Sequence, residues 1–471
     1  MNSQIKILAM YHTVPIGYII ALGSVCILLG MLLSKLRRTR VFVQDFYVHQ
    51  PPKKFHATAQ TVFDRTICRM PISNESRAFL GGALMRSGLG DDTAVPNSFF
   101  TCQFNEESAN EEMEAYLSGA MDGLLARTGM KPSDIDILVV NCSCYCPTPS
   151  MTAWIVNRYN MPSSTRTFHL GGMGCSASMI GVDLVKDLLK ANPGKRAVLI
   201  STEMLTYHMY MGENPSFSLQ SALFRSGAAA VLFTTRRIRS TRYELLRTVR
   251  THHGRKEDSF NCISLEDDGT GHVGVRLSRD IPAVAGRAIE ENMTRIGEMM
   301  LPLSEKARFL WASAVRPLLG MKAAVYRPDF SKCIDNFCIH TGGRAVIDTV
   351  EKNLGLTAEQ IEASRATLYQ YGNTSSSSVW YELAYLEQHK LVCPGNTVWQ
   401  LAFGSGFKVN SCLLRALPGC STDPVDFNVH NNSWRFSKET CPLPTIKFPP
   451  AVEAARLARQ ARKAREGIPA M

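Results

Sequence analysis

The sequence has little of what marks disulfide-stabilised, fibrous or disordered proteins. Its 14 cysteines are only about 3% of 471 residues and show no framework spacing, which excludes the small disulfide-rich class. With 33 glycines and 23 prolines it has too few of either for collagen. The shares of apolar (45%) and charged (20%) residues are those of ordinary globular proteins. The chain therefore folds around a core, at a length above that of one usual domain.

Acidic residues are outnumbered by basic ones, 41 against 52, so the formal net charge is +11. Such an excess is typical of proteins that bind nucleic acid or an anionic membrane. Five basic residues lie on an alanine-rich helical pattern near the C-terminus, AVEAARLARQARKAREG. A solvated helix or disordered end is the simpler interpretation of this segment, and contact with anionic lipid is the alternative.

Long uncharged apolar runs are also scarce, and only one has membrane-spanning length. Residues 14–33, VPIGYIIALGSVCILLGMLL, carry no formal charge over 20 positions, enough for a helix to cross the hydrocarbon core of a bilayer. A cleaved signal peptide is the alternative, but here the basic residues of KLRRTR follow the run instead of preceding it. We predict an anchor at 14–33 after an N-terminal segment at 1–13. The positive-inside rule then places residues from about 34 onward in the cytosol, where thiols are reduced.

Strand-like runs alternate with helical patterns beyond the anchor, which favours an α/β layered domain. A loosely repeated order in the second half indicates a duplication. We predict a basic juxtamembrane segment and first strand at 34–54, an N-terminal half with the nucleophile at 55–235, a C-terminal half at 236–417 and a basic tail at 418–471.

The most informative segment is residues 171–178, GGMGCSAS, between a strand-like run and a helical pattern. Its three glycines permit a sharp turn that places Cys175 at a helix N-terminus. There the helix dipole and free N–H groups favour a thiolate, the nucleophilic form. A single cysteine is more often a small buried apolar residue, but this glycine setting favours a nucleophile.

A cysteine nucleophile needs companions that handle protons or developing negative charge. His340 follows a strand-like run and precedes two glycines, and Asn373 lies in YGNTSSSS, where the serines indicate a helix start more than a linker. Either residue alone is more often structural.

Four segments together, GGMGCSAS, FCIHTGGRA, YGNTSSSSVWYEL and AFGSGFKVNS, closely resemble the signatures of plant-type 3-ketoacyl-CoA synthases. These are the condensing enzymes of very-long-chain fatty acid elongation. The resemblance extends in order from about Arg40 to Leu417. It implies the thiolase fold, in which two pseudo-repeated halves pack as α/β/α/β/α layers, usually in a homodimer.

The resemblance also implies roles for individual residues. Cys175 would accept the acyl group of an acyl-CoA, and His340 and Asn373 would bind the thioester carbonyl of malonyl-CoA while it loses carbon dioxide. The backbone N–H groups of Cys175 and of the 404–407 turn, Gly406 and Phe407 in particular, would form the oxyanion hole. His252 matches a further family histidine and is a supporting candidate.

Two positions depart from the family pattern. Asn336 stands where relatives commonly have a second histidine, and Tyr369 where they often have histidine or arginine. An asparagine at 373 is typical of the CoA-using decarboxylative branch, and the anchor favours fatty acid elongation within it. A type III polyketide synthase-like enzyme, an inactive acyl-CoA-binding elongase scaffold and a papain-type cysteine hydrolase are the alternatives.

The predicted topology and the resemblance together place the protein in the endoplasmic reticulum membrane, with its catalytic domain in the cytosol beside the reductases and dehydratase of elongation. We expect no cofactor beyond the substrates acyl-CoA and malonyl-CoA, and no nucleic-acid partner. We also expect no metal, because Cys142, Cys144 and Cys146 lack a second ligand pair with zinc spacing. Residues 301–319 carry too many charges to span a membrane. Three placements are open for this segment: against the bilayer, over the acyl tunnel, or in the core as an ordinary helix.

Overall fold

The computed structural model describes residues 23–24, 39–319, 329–428, 431 and 433–466. Residues Val41–Met471 form one compact unit, distinct from Met1–Arg40. The predicted segment 1–13 and anchor 14–33 lie outside the described residues, apart from the helical Gly23 and Ser24. Within the described ranges, no helix has both the length and the apolar character needed to cross a bilayer.

One mixed sheet of nine strands organises the compact unit, with two short antiparallel strand pairs, β2 with β3 and β9 with β10, beside it. The strands are β1 (Val41–Val48), β2 (His56–Ala57), β3 (Thr93–Ala94), β4 (Ile137–Asn141), β5 (Arg166–Leu170), β6 (Arg196–Thr202), β7 (Ala228–Thr234), β8 (Tyr243–His252), β9 (Ile263–Asp267), β10 (Val273–Leu277), β11 (Asn336–Ile339), β12 (Thr397–Gly404) and β13 (Lys408–Ala416).

Helices cover both faces of this sheet. Those of seven or more residues are Ala59–Arg65, Asn74–Arg86, Glu106–Thr128, Met151–Arg158, Ala177–Ala191, Pro215–Leu223, Ile281–Met300, Leu303–Leu310, Arg344–Leu354, Ala358–Tyr371, Ser378–Gln388 and Pro450–Arg465.

The order of the sheet, β11-β12-β13-β8-β1-β7-β6-β4-β5, contains the same arrangement twice. In one arm β4 runs parallel to β6, which pairs antiparallel with β7, which pairs antiparallel with β1. In the other arm β11, β12, β13 and β8 repeat these three relations in the same chain order. An antiparallel contact between β1 and β8 joins the arms. The duplicated α/β architecture predicted from the sequence is thus present.

Two helices lie between the arms and form the central layer. Helix Ala177–Ala191 packs on β4 and β6 of one arm and on β8 and β13 of the other. Helix Ser378–Gln388 is buried along its length from Ser378 to Glu387, and its Trp380 Nε1 donates to Ser178 Oγ over 2.7 Å. Helices Glu106–Thr128 and Ile281–Met300 cover the outer faces of the two arms. Outer helix, arm, central helices, second arm and second outer helix make five layers. Each half contributes one central helix, and each central helix begins at the candidate site.

The chain beyond Leu417 also packs on the core. Val425 and Phe427 are buried, and the Val425 N–H donates to the Glu387 carboxylate over 2.8 Å. Helix Pro450–Arg465 packs against helix Asn74–Arg86, with an ion pair between Arg462 and Glu75. The basic helix near the C-terminus is therefore docked on the domain, which differs from the solvated or disordered end considered above.

Candidate active site

Cys175 lies where the glycine motif predicts, at the entrance to a central helix. It is in the 3-10 turn Gly174–Ser176, which continues directly into helix Ala177–Ala191. Gly172 and Gly174 have φ values of +64° and +69°, which glycine adopts without the strain that a side chain would add. A Cβ on Gly174 would stand 2.5 Å from the backbone N of Ser405, so this turn also requires glycine for close packing.

Burial favours the thiol form of Cys175, against the thiolate that its place at a helix N-terminus was expected to favour. Burial raises the pKa of Cys175 to about 12, the negative charge of Glu203 acts in the same direction, and a hydrogen bond from the Ser375 side chain opposes them. Desolvation of the thiolate thus outweighs the helix N-terminus. If Cys175 acts as the predicted nucleophile, this proton has to leave as the sulfur attacks.

His340 lies directly after β11 and is buried. Its Nδ1 is 2.9 Å from Ser378 Oγ, in the first turn of the second central helix, and Phe403 meets its ring edge to face at 5.2 Å between centroids. Burial lowers the pKa of His340 to about 3, with the backbone of Ser375 acting in the opposite direction. The imidazole is consequently neutral at physiological pH, able to accept a proton or to donate one N–H.

Asn373 follows helix Ala358–Tyr371 and Gly372, whose φ of +69° turns the chain into the site. Its backbone is fixed by two bonds to the segment before β7, from Arg225 N–H to its carbonyl at 2.9 Å and from its N–H to Leu223 O at 3.2 Å. Its Oδ1 accepts the Ser375 N–H over 2.9 Å. Because a backbone N–H can only donate, the amide is oriented with Nδ2 left to donate to a ligand.

Ser375 connects all three predicted catalytic residues, and sequence reasoning missed it. Its side chain lies beside the Cys175 thiol, its N–H donates to Asn373 Oδ1, and its backbone interacts with the His340 ring. Its φ of +54° is a left-handed conformation unusual for serine. The signal in the sequence was the serine run itself, which we interpreted only as a helix start.

Glu203 is the second residue that the sequence did not reveal. This buried carboxylate accepts the Ser375 hydroxyl over 2.8 Å and the backbone N–H groups of Ser143 and Cys144 over 2.8 and 2.7 Å. Four donors, including the Cys142 thiol at 3.3 Å, surround it. Glu203 thereby holds the Ser375 hydroxyl beside the nucleophile.

The predicted oxyanion turn reaches Cys175 through its backbone. Gly404 ends β12, and a Cβ on it would stand 2.6 Å from the Cys175 N atom. Gly406 has a φ of +110°, and Phe407 is buried and stacked on Phe403. The nucleophile turn and the 404–407 turn are therefore packed backbone against backbone. Assignment of the oxyanion donors to Gly406 and Phe407 stays a prediction.

His252 and the two departures from the family pattern lie outside this group. His252 ends β8, is exposed and lies beside Gly406. Partial desolvation lowers its pKa, and the positive charges of Lys408 and Arg250 lower it further. Asn336 donates to Leu391 O over 3.0 Å, and Tyr369 donates to Pro442 O over 3.2 Å. Asn336 and Tyr369 thus make structural contacts.

The Cys-x-Cys-x-Cys segment directly follows β4, which ends at Asn141. Cys142 is buried against Glu203, whereas Cys146 is exposed. Among the described residues, no three or more His, Cys, Asp or Glu side chains are grouped so that they could hold a metal ion.

Two family profiles match successive parts of the chain. Residues 33–318 match the FAE1/Type III polyketide synthase-like protein family, and residues 324–418 match the C-terminal domain of chalcone and stilbene synthases. The boundary between them falls in the segment that precedes β11, and the second match ends at Pro418, after β13.

Relatives from Arabidopsis thaliana match most of the chain. It is 43% identical to 3-ketoacyl-CoA synthase 4 over 403 residues, covering 84% of this chain and 78% of that protein. It is 41% identical to 3-ketoacyl-CoA synthase 9 over 419 residues, covering 88% and 81%.

Solved structures show the same fold at lower identity. PKS-I from the brown alga Ectocarpus siliculosus superposes with a TM-score of 0.63 at 19% identity, over 80% of this chain and 98% of that one. The C-terminal type III polyketide synthase domain of Steely1 from Dictyostelium gives 0.60 at 19%, over 80% and 99%.

Proposed function

This chain belongs to the 3-ketoacyl-CoA synthases, the condensing enzymes of very-long-chain fatty acid elongation, and on that premise we propose how its site carries out the condensation. The observation that carries the proposal is the position of Ser375, which contacts Cys175, His340 and Asn373 at once. Three segments distant in the sequence thereby share one buried site between the two halves.

The first step is acyl transfer to Cys175. The sulfur attacks the thioester carbonyl of an acyl-CoA and its proton passes to neutral His340. The tetrahedral intermediate then expels the CoA sulfur, which takes up the proton and leaves as CoA. The product is an acyl thioester on Cys175. Backbone N–H groups of Cys175 and the 404–407 turn stabilise the oxyanion in this step.

The second step is decarboxylative condensation. Malonyl-CoA binds with its thioester oxygen at Asn373 Nδ2 and the His340 Nε2–H, and the bond to the carboxylate breaks to release carbon dioxide. The electron pair forms an enolate whose oxygen these two donors stabilise. The enolate carbon attacks the acyl-Cys175 carbonyl, the bond to sulfur breaks, and a 3-ketoacyl-CoA two carbons longer leaves. The Cys175 thiolate is then protonated again.

The Ser378 hydroxyl supports this role of His340. A hydroxyl that donates to Nδ1 keeps the ring proton on Nε2, the nitrogen assigned to the enolate. The lowered pKa of His340 follows from the same burial. When the Ser378 hydroxyl accepts from Nδ1–H instead, Nε2 is free to take the thiol proton in the first half-reaction. The two half-reactions thus use the two tautomers of the neutral ring.

A cavity of only about 10 Å³ lies near Asn373, with Gln220 and Ser221 in its lining beside apolar side chains. Phe99, Leu205 and Met209 line it, together with Phe224, whose backbone bridges to Asn373. This cavity is too small to hold an acyl chain unless these side chains move apart.

We further propose the location and partners of the enzyme. The apolar 14–33 run and its basic flank support insertion in the endoplasmic reticulum membrane with the catalytic unit in the cytosol. There it would work beside the elongase reductases and dehydratase. Within the described sheet β5 is an edge strand bonded to β4 alone, and an open edge of this kind supports a homodimer.

Substitution of the nucleophile tests the proposal. The full chain in detergent receives a long-chain acyl-CoA and radiolabelled malonyl-CoA, and the acyl adduct, carbon dioxide and 3-ketoacyl-CoA are measured. Cys175→Ala should form no adduct or elongated product, whereas Cys146→Ala, which removes an exposed thiol, should retain both. Elongated product from Cys175→Ala would refute the acyl-Cys175 route.

A further inference from the structure

Residues 303–319 expose six large apolar side chains, Phe309 among them at 51%. Within this segment the helix Leu303–Leu310 continues into the π-helical turn Trp311–Val315 and the helix Arg316–Leu318. The exposed fractions are 83% for Leu303, 58% for Leu310, 52% for Trp311, 85% for Leu318 and 63% for Leu319. A soluble protein surface rarely concentrates such residues in one short segment.

The polarity of this helix is inverted relative to a helix on a soluble domain. Its inward face carries Glu305, only 1% exposed, which pairs with Lys332 and with Arg308. Its outward face carries Leu303 and Leu310, seven positions apart and therefore on one side of the helix. A charged group thus lies inside while the large apolar groups face out.

Basic side chains flank the outward face. Lys306 and Arg308 lie on its two sides, and the Lys306 ammonium donates to the Glu298 backbone carbonyl over 2.8 Å. The segment's one acidic residue, Glu305, is buried and paired, so its exposed charge is positive. An apolar face with leucine and tryptophan between cations matches the boundary between anionic headgroups and acyl chains.

We propose that residues 303–319 dock in the headgroup region of an anionic lipid bilayer. Leu303, Leu310 and Trp311 enter the boundary with the acyl chains, while the lysine and arginine side chains remain at the phosphates. This contact is separate from the predicted 14–33 anchor and independent of the condensation chemistry. Its effect would be to hold the catalytic unit itself against the source of long-chain acyl groups.

Tryptophan quenching by brominated lipid tests the proposal with the full chain. The protein is reconstituted in vesicles of phosphatidylcholine and phosphatidylserine, with or without bromine near the carbonyl end of the acyl chains. The chain has five tryptophans, and Trp380 and Trp399 are buried. Brominated lipid should lower the emission of the parent chain, and Trp311→Phe should remove most of that decrease. The matched Trp154→Phe variant should keep it.

A second variant separates docking from local folding effects. Leu303→Gln combined with Leu310→Gln changes only exposed positions and should reduce quenching of Trp311 at least about twofold, with condensing activity in detergent unchanged. Equal emission with and without bromine would overturn the proposal. The proposal would also be overturned if Trp311 were not quenched and the particles had twice the mass of one chain. A second copy of the chain would then cover the exposed surface of residues 303–319. Parallel activity assays keep failure of docking distinct from failure of the condensation.

Discussion

The backbone N–H of Ser375 donates to the Asn373 side chain over 2.9 Å, and this bond determines which end of the amide faces the site. The oxygen is occupied, so the NH2 group is presented to substrate. The side chain of the same serine lies beside the Cys175 thiol and donates to Glu203 over 2.8 Å. One residue therefore positions the donor of the second half-reaction beside the nucleophile of the first.

Replacing Asn373 should separate the two half-reactions. Asn373→Asp can still accept the Ser375 N–H, but it presents a carboxylate oxygen where the enolate oxygen develops. We expect carbon dioxide release to fall by about 10²–10³ while acyl loading of Cys175 persists. Intact-mass measurement of the adduct and radiolabelled carbon dioxide release check this. Asn431→Asp, in the segment beyond β13, serves as the control. An equal loss of loading and decarboxylation would contradict the assignment.

The Cys175 thiol should resist alkylation near neutral pH. With a pKa raised to about 12, its iodoacetamide rate should climb about tenfold per pH unit from pH 7 to 10 without a plateau near 9. Ser375→Ala removes a bond that lowers this pKa, so alkylation should slow further, whereas Ser377→Ala should have little effect. Peptide mass spectrometry isolates the Cys175 signal. A plateau below pH 9 would show that the site stabilises the thiolate.

His340 should make the fold less stable in acid. Its pKa is about 3 when folded and near 6.5 when unfolded, so between these values the unfolded chain binds a proton that the folded chain excludes. The free energy of unfolding should therefore decrease as pH falls below about 6.5, by up to ~1.4 kcal/mol per pH unit from this residue, with no contribution above. His49, whose pKa burial lowers to about 4, adds in the same direction.

Urea unfolding at pH 8, 6 and 5 measures this dependence. His340→Gln should show a shallower decrease than the parent chain, whatever its stability at pH 8, because glutamine does not titrate. Identical slopes for the two proteins would contradict the lowered pKa of His340.

Arg242 should be indispensable to the buried junction of the two arms. Its guanidinium pairs with Glu387 at 2.7 Å and with Asp45, and Arg242 and Glu387 are buried. Arg242→Met leaves a buried carboxylate without its cation and should cost about 3–5 kcal/mol in the free energy of unfolding. Arg295→Met, which removes an exposed ion pair with Glu291, should cost less than ~1 kcal/mol. Denaturant midpoints give both losses in the free energy of unfolding. Equal losses for the two variants would show that the buried ion pair contributes no more than the exposed one.

Much of the fold and the candidate triad followed from local patterns. The glycines around Cys175 encode the turn, because positive φ values and a 2.5 Å approach tolerate little else. The buried strand runs and intervening helical periods predicted a duplicated α/β unit, and the two arms of the sheet repeat one order. The sequence did not predict the places of Ser375 and Glu203 in the site, because a serine run and an isolated glutamate carry no distinctive local signal.

The sequence by itself determined the family and the place of Cys175, the predicted nucleophile, before a helix, since these depend on residues adjacent in the chain. Only the tertiary structure decided that Cys175 rests as a thiol and His340 as a neutral base. Those states depend on how far water is excluded by segments more than a hundred residues away. The structure also decided that residues 303–319 turn Glu305 inward and leucine outward, because a helical pattern defines two faces and only packing selects which one is buried.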